Sequence, residues 1–332
     1  MGGRALKNTV TRRYNKREFT SISTDILRKV RREFAKAEVP RYYHNKETFG
    51  DADIIVSIEG YKGDIHKWIK EVFEPNETFS NGNCISFDYK EFQIDLMLVE
   101  GEHFDSMFNY LSFNDLGNFI GRLSHGFGLR YGQEGLWYTY FYKNTKHKLM
   151  VSKDYPKIYE FLGLDYRRWL KGFDTLEDIF EFISESPYFN WQKFQPEELN
   201  RINRERNLKR ASYMTFLEWM DVNVADEDHE YKFEKDKTTY LSIIDRFFPE
   251  AGLLNEMERV DYEVSKKKYA ATIFNGKLIM DTYGLTGGEL GKSLQGFKEH
   301  LEMRGTDDIP DYYIQMGRKQ MLVEYDYYLD VQ

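Results

Sequence analysis

The sequence predicts an α+β chain: an N-terminal head with a mixed or antiparallel sheet and helices, then a mainly α-helical C-terminal region. Three observations carry this. Gly50 to Ile58 and Glu91 to Val99 are apolar, β-branched-rich runs of strand length with acids set inside them. Residues 128–152 read as a β meander around the turn Gly132-Gln133-Glu134-Gly135. From Asp154 onward, apolar residues recur at helical spacing and strand signals become sparse. A boundary near residue 153 follows, dividing the chain into 1–153 and 154–332, with a further division expected near 223–237.

Taken in order, Ser23 or Thr24 is expected to cap a helix through Ile26, Leu27, Val30 and Phe34 that stops before Pro40. Gly63 to Phe73 reads as a helix with Trp68, Ile69 and Val72 inward. Cys84 to Tyr89 and Glu91 to Val99 read as two strands with a tight connection. Helices are expected near His103 to Leu111 and Asn114 to His125, before a meander that could extend the first sheet. Beyond the boundary, Thr175 is placed to cap Leu176 to Ser184, and Pro196 to Asp221 reads as the longest helical segment. Further helices are expected through Ile243 to Phe247, Glu256 to Leu278, Leu294 to Met303 and Tyr312 to Tyr328.

The chain has 332 residues, 41% of them hydrophobic and 17% aromatic, enough for a packed interior. Cys84 is its single cysteine, which excludes an internal disulfide and fits a reducing, cytoplasmic setting. No apolar run is long enough for a membrane span, and no signal peptide is read. Net charge is −8, yet residues 1–46 hold thirteen Lys and Arg against four Asp and Glu. A cationic segment beside acids suits an anionic phosphate substrate, although a basic helix can equally form ion pairs with its neighbours.

The chemistry centres on Gly50-Asp51-Ala52-Asp53 and on Asp95. In an extended chain Asp51 and Asp53 project to the same face, and Gly50 lets the backbone turn in before them. Asp95 is a lone charge in an apolar run, costly to bury unless paired or bound to a metal. Pairing the two strands would bring three carboxylates within reach of one or two divalent cations. Lys46, Arg12 and Arg13 are placed to meet phosphate, and Gly2 and Gly3 allow close backbone approach to phosphate or to the protein's own sheet. On the segment 196–221, Arg201, Arg204, Arg206, Lys209 and Arg210 could follow an RNA backbone or form a solvated helix face. Seven scattered histidines and one cysteine supply no zinc ligand set, Ser124-His125 makes no triad, and no Walker-type lysine loop occurs.

Gly-Asp-Ala-Asp leading into an apolar strand, with a further acid on a later strand, resembles the DNA polymerase β-like nucleotidyltransferase superfamily. The resemblance implies Asp51, Asp53 and Asp95 as catalytic metal ligands, two magnesium ions with manganese as a substitute, and nucleotidyl transfer from an NTP with loss of pyrophosphate. Gly2-Gly3-Arg4-Ala5 and the segment Gly284 to Lys292 look similar to parts of template-independent tRNA and poly(A) nucleotidyltransferases, which implies an RNA or tRNA 3′ end as acceptor. Ala5 to Thr9 and Lys46 to Asp53 look like uncharacterised nucleotidyltransferase-like proteins of phages and other viruses, which implies a host cytoplasm. The family's Gly-Ser about ten residues before its acids is replaced by Tyr42-Tyr43-His44-Asn45. Either Gly2, Gly3 and Gly50 do that work, or the nucleotide is held differently. Templated DNA repair synthesis and a non-catalytic RNA-binding role are the competing expectations.

Overall fold

The computed structural model describes residues 3, 5–224 and 229–331. It is α+β: among the described residues every strand ends at or before Ser152, and the rest is helical. The head begins with β1 (Tyr14–Asn15), α1 (Lys16–Val30), β2 (Ala37–Glu38), β3 (Thr48–Phe49), β4 (Asp51–Ser57) and α2 (Ile65–Phe73). It continues with β5 (Thr78–Asn81), β6 (Cys84–Tyr89), β7 (Phe92–Val99), α3 (Phe104–Leu111) and α4 (Leu116–Gly126). A meander follows as β8 (Leu129–Gly132), β9 (Gly135–Tyr142) and β10 (Thr145–Ser152).

The main sheet has the order β2-β4-β7-β6-β5. Its central pair, β4 and β7, is parallel, and the other pairings are antiparallel. Period-two alternation splits these strands between two faces. Ala52, Ile54, Val56, Ile94 and Leu96 pack with Ile22, Ile26 and Val30 of α1 and with Trp68 and Ile69 of α2. On the opposite face Ile55 and Val99 pack with Phe104 and Met107 of α3. That second apolar layer does not extend to the N-terminal ends of β4 and β7, where the acids stand. The meander forms a separate three-stranded sheet, β10-β9-β8, and does not extend the first.

Helix α1 starts eight residues before the expected cap. Asn15 accepts from the Glu18 N–H while Glu18 reaches back to the Asn15 N–H, a complete capping box. Ser23 and Thr24 lie inside the helix and donate to carbonyls one turn earlier. The apolar spacing from Ile22 onward located the buried face but not the start, because residues 16–18 are charged and carry no periodic signal.

After the meander come α5 (Tyr155–Phe161), α6 (Tyr166–Lys171), α7 (Leu176–Ser184), α8 (Arg201–Asn207), α9 (Ala211–Asn223) and α10 (Leu241–Phe247). Thr175 caps α7 as expected, in a box with Asp178. The long helix read over 196–221 is instead a 3-10 turn at Pro196–Glu198 followed by α8 and α9, broken at Leu208 to Arg210. The last helices are α11 (Leu253–Ile273), α12 (Gly276–Tyr283), α13 (Gly287–Met303) and α14 (Ile309–Asp330), the last kinked at Gly317.

Two compact units result. One comprises Met1–Tyr140 with His147–Ala251, the other Phe141–Lys146 with Gly252–Gln332. The boundary expected near 153 thus falls inside the first unit, because α5 to α9 share its packing. Part of the division expected near 223–237 lies outside the described residues. The second unit has its own core around Phe274, Phe297, Met321 and Tyr325. No helix among the described residues is long and apolar enough to cross a membrane.

The two cap assignments differ in a measurable way. Asn15→Ala should destabilise the protein by about 1 kcal/mol in urea unfolding, whereas Ser23→Ala should cost clearly less.

Candidate active site

The parallel register of β4 and β7 sets Asp51 opposite Gln93 and Asp53 opposite Asp95. Paired residues in a ladder share a face, so all three acids project from the same side of the sheet. Ser86 of β6, opposite Asp95, belongs to that side as well. Gly50 precedes β4 in a bend, and Asp51, Asp53 and Asp95 are each half-buried.

Their environments differ. Asp51 accepts a hydrogen bond from the Gly3 N–H at 2.8 Å. Both oxygens of Asp95 accept from the Gln93 side-chain amide, at 2.9 and 3.1 Å. Among the described residues Asp53 receives no hydrogen bond. Burial, then the neighbouring Asp51 and Asp95 charges, push its carboxyl up to about 8, with Lys46 opposing weakly. Burial also pushes Asp95 up to about 6, against the pull of Ser86 and Gln93. The Lys46 ammonium faces Asp51 and Asp53, and burial lowers its pKa while those acids raise it.

The parallel register sets the three carboxylates on one face of the sheet. Among the described residues no group of three His, Cys, Asp or Glu side chains stands arranged to hold a metal ion. Asp51 and Asp95 each accept from donors of their own. The donor chemistry nevertheless fits a hard divalent cation. Three carboxylates share one face with Lys46 nearby, and the middle one receives no side-chain hydrogen bond among the described residues and is driven toward its neutral form. An all-oxygen set of this kind suits magnesium or manganese, with Asp53 central and Asp51 and Asp95 on either side.

A cavity of about 460 Å³ opens over Asp51 and Asp53. Lys46, Tyr110, Asn118, Arg206 and Arg210 are among its walls. A second cavity adjoins it at Lys46, Asn114 and Asp51 and is bounded by Arg13, Gly50 and the first turn of α9. Lys46 lines both. Its ammonium donates to Asn114 at 3.2 Å and lies 4.8 Å from the Phe49 ring centroid.

The other expected contacts divide. Arg13 reaches the second cavity while bonding Thr48 at 3.0 Å. Arg12 does not line either cavity. It bridges Glu18 at 2.8 Å and Glu91 at 3.4 Å and lies over Tyr14, so its guanidinium serves the start of α1. Gly3 folds back onto the acids, and a side chain there would strike the Gly50 carbonyl at 2.2 Å. With φ at +80°, only glycine suits that position. Gly2 lies outside the described residues. Arg201 and Lys209 are exposed. Arg204 donates to the carbonyls of Pro196, Glu197 and Leu199, which removes it from any free basic face. Arg210 pairs with buried Asp115 at the cavity wall.

Sequence reasoning missed Gln93, Asn114 and Asp115. Gln93 carried one signal: it stands two residues before Asp95 on a strand, hence on the same face. The rest come together only through the packing of α4 against the α8–α9 region.

Comparison of the chain with models of known protein families and with curated proteins gives no match in either case.

The acid cluster has a pH signature. Asp53 is raised from 3.8 to about 8 on folding, so the folded state holds its proton more tightly than the unfolded chain. Its contribution to stability is full below about pH 4 and is lost as pH rises through about 8. Thermal melts of ion-free protein should show Tm falling between pH 5 and 8, with a smaller fall in Asp53→Asn.

Proposed function

We propose that the protein is a nucleotidyltransferase that moves an NMP group from an NTP to the 3′ end of an RNA and releases pyrophosphate. The observation that supports this best is the parallel β4–β7 register, which aligns Asp53 with Asp95 beside Asp51, with Asp51 and Asp53 lining a cavity that Arg41, Lys46, Arg206 and Arg210 also line. Asp51 and Asp53 would hold both divalent cations, and Asp95 the one nearer the acceptor. Two such ions lower the pKa of an attacking hydroxyl and offset charge on the leaving phosphate.

The chain's own residues supply position and charge. Lys46 meets the triphosphate where the two cavities join, and Arg13 extends that positive wall. Asp95, raised by burial, can take up the proton leaving the acceptor hydroxyl. Half-buried walls strengthen each of these charges relative to bulk water. Arg206, which also lines the first cavity, suits the acceptor's phosphate, with Arg210 beside it paired to Asp115. The strapped Gly3 supports the reading in which the N-terminal glycines fold back toward the acids in place of a Gly-Ser turn.

The test is incubation of purified protein with labelled NTPs, magnesium and an RNA pool that includes tRNA. Asp51→Ala and Asp53→Ala should each lower incorporation by at least about 100-fold. Lys46→Ala should raise KM for the NTP more than it lowers kcat. Transfer that survives in either aspartate variant would refute the assignment. A gapped duplex in place of RNA tests templated synthesis by the same carboxylates.

A further inference from the structure

Two of the three acids are held by one peptide segment. Gly3 N–H donates to Asp51 at 2.8 Å. Two residues on, Ala5 N–H donates to the Gln93 side-chain oxygen at 2.9 Å. The same Gln93, only 2% exposed, donates through its nitrogen to both oxygens of Asp95. The segment is then pinned at a distance. Lys7, Asn8 and Thr9 present three successive N–H groups to the Glu77 carboxylate, at 2.9, 2.8 and 2.8 Å. Glu77 is itself fixed, its N–H donating to buried Asp88 at 2.8 Å. Arg12 N–H closes the loop on the Glu91 carbonyl at 2.9 Å.

We infer that Gly3 and residues 5–9 act as a strap that orients the metal-binding carboxylates, with Gln93 and Glu77 as positioning residues for the cation site. The inference rests on the metal-dependent reading above. Each carboxylate has about four lone-pair directions, so a single donor fixes its rotamer and leaves room for a cation. An N–H donor also favours the ionised form that a cation needs. Gln93 suits the linking position because one amide both accepts and donates. It passes the position of the strap to Asp95, which the strap does not touch. Glu77 suits the anchor because a carboxylate can accept three convergent N–H groups that no neutral side chain could satisfy as well. Partners of this outer kind typically change metal affinity by about 10- to 100-fold.

The test uses the full chain and manganese alone, with free Mn2+ followed by electron paramagnetic resonance, so no turnover is required. Gln93→Leu and Glu77→Gln should each weaken Mn2+ by at least about 10-fold. Glu77→Asp keeps a carboxylate for the strap and should stay within a few-fold of the parent chain. Near-ultraviolet circular dichroism identifies the variants that remain folded, and Glu77→Gln stands in if Gln93→Leu does not fold. Unchanged affinity in the folded variants would overturn the inference while leaving the nucleotidyltransferase reading intact. Tighter binding would overturn it too, since the strap would then be shielding the acids. If the parent chain takes up no Mn2+, the metal-dependent reading fails and the strap's proposed role fails with it.

Discussion

Everything in the head depends on the parallel pairing of β4 with β7. The pairing buries Ile54, Val56, Ile94 and Leu96 on one face under α1 and α2. The same register lines up Asp53 with Asp95 on the other. A slip of one residue would turn either strand's acids into the apolar layer and its leucines and isoleucines into the cleft. Burial of the hydrophobic face thus enforces the alignment of the carboxylates. No interaction among the acids favours it, since like charges at that range repel. The core holds together a cluster that electrostatics alone would disperse.

That strain is relieved locally, by different means at each acid. Asp51 takes a backbone N–H and Asp95 an amide, and Asp53 is driven toward its protonated form. Among the described residues no hydrogen-bond donor reaches the Asp53 carboxyl, so burial beside Asp51 and Asp95 is met there by protonation.

The sequence carried the sheet and most helices of the head because their signals are local. Ile54 to Val56 and Leu96 to Val99 are short apolar runs, their strands opened by Gly50 and by the turn at Lys90 and Glu91, and the strands fall there. Asp51, Asp53 and Asp95 could be brought to one face by period-two reasoning once the strands were drawn together. Other features depended on contacts that leave no periodic trace. β5, with four exposed residues, has no apolar alternation and went unread. The start of α1 was hidden by charge, since Lys16, Arg17 and Glu18 belong to no buried stripe. The helix read across 196–221 breaks where Asn207 turns inward and Arg210 pairs with Asp115, both long-range events. The boundary placed near 153 followed a real change of composition that the packing of α5 to α9 overrides.

The same distinction governs charge. The surplus of Lys and Arg in residues 1–46 suggests a basic surface for phosphate, yet much of it is spent close to home. Arg12 pairs with Glu18, Arg28 with Asp25, Arg31 with Glu38 and Lys36 with Asp105. Exposed pairs of this sort add little stability, and they also cancel the field they would otherwise project. Of that segment's cations, Arg41 and Lys46 line the first cavity and Arg13 and Lys46 the second. The remaining positive wall comes from Arg206 and Arg210, more than a hundred residues away in sequence and delivered by the α8–α9 region. Two of the five cations that line the two cavities therefore come from the α8–α9 region, and one of these, Arg210, is paired with Asp115 at the same wall. The lining of the cavity over Asp51 and Asp53 is in this sense a tertiary property of the first unit, because α8 and α9 pack within it.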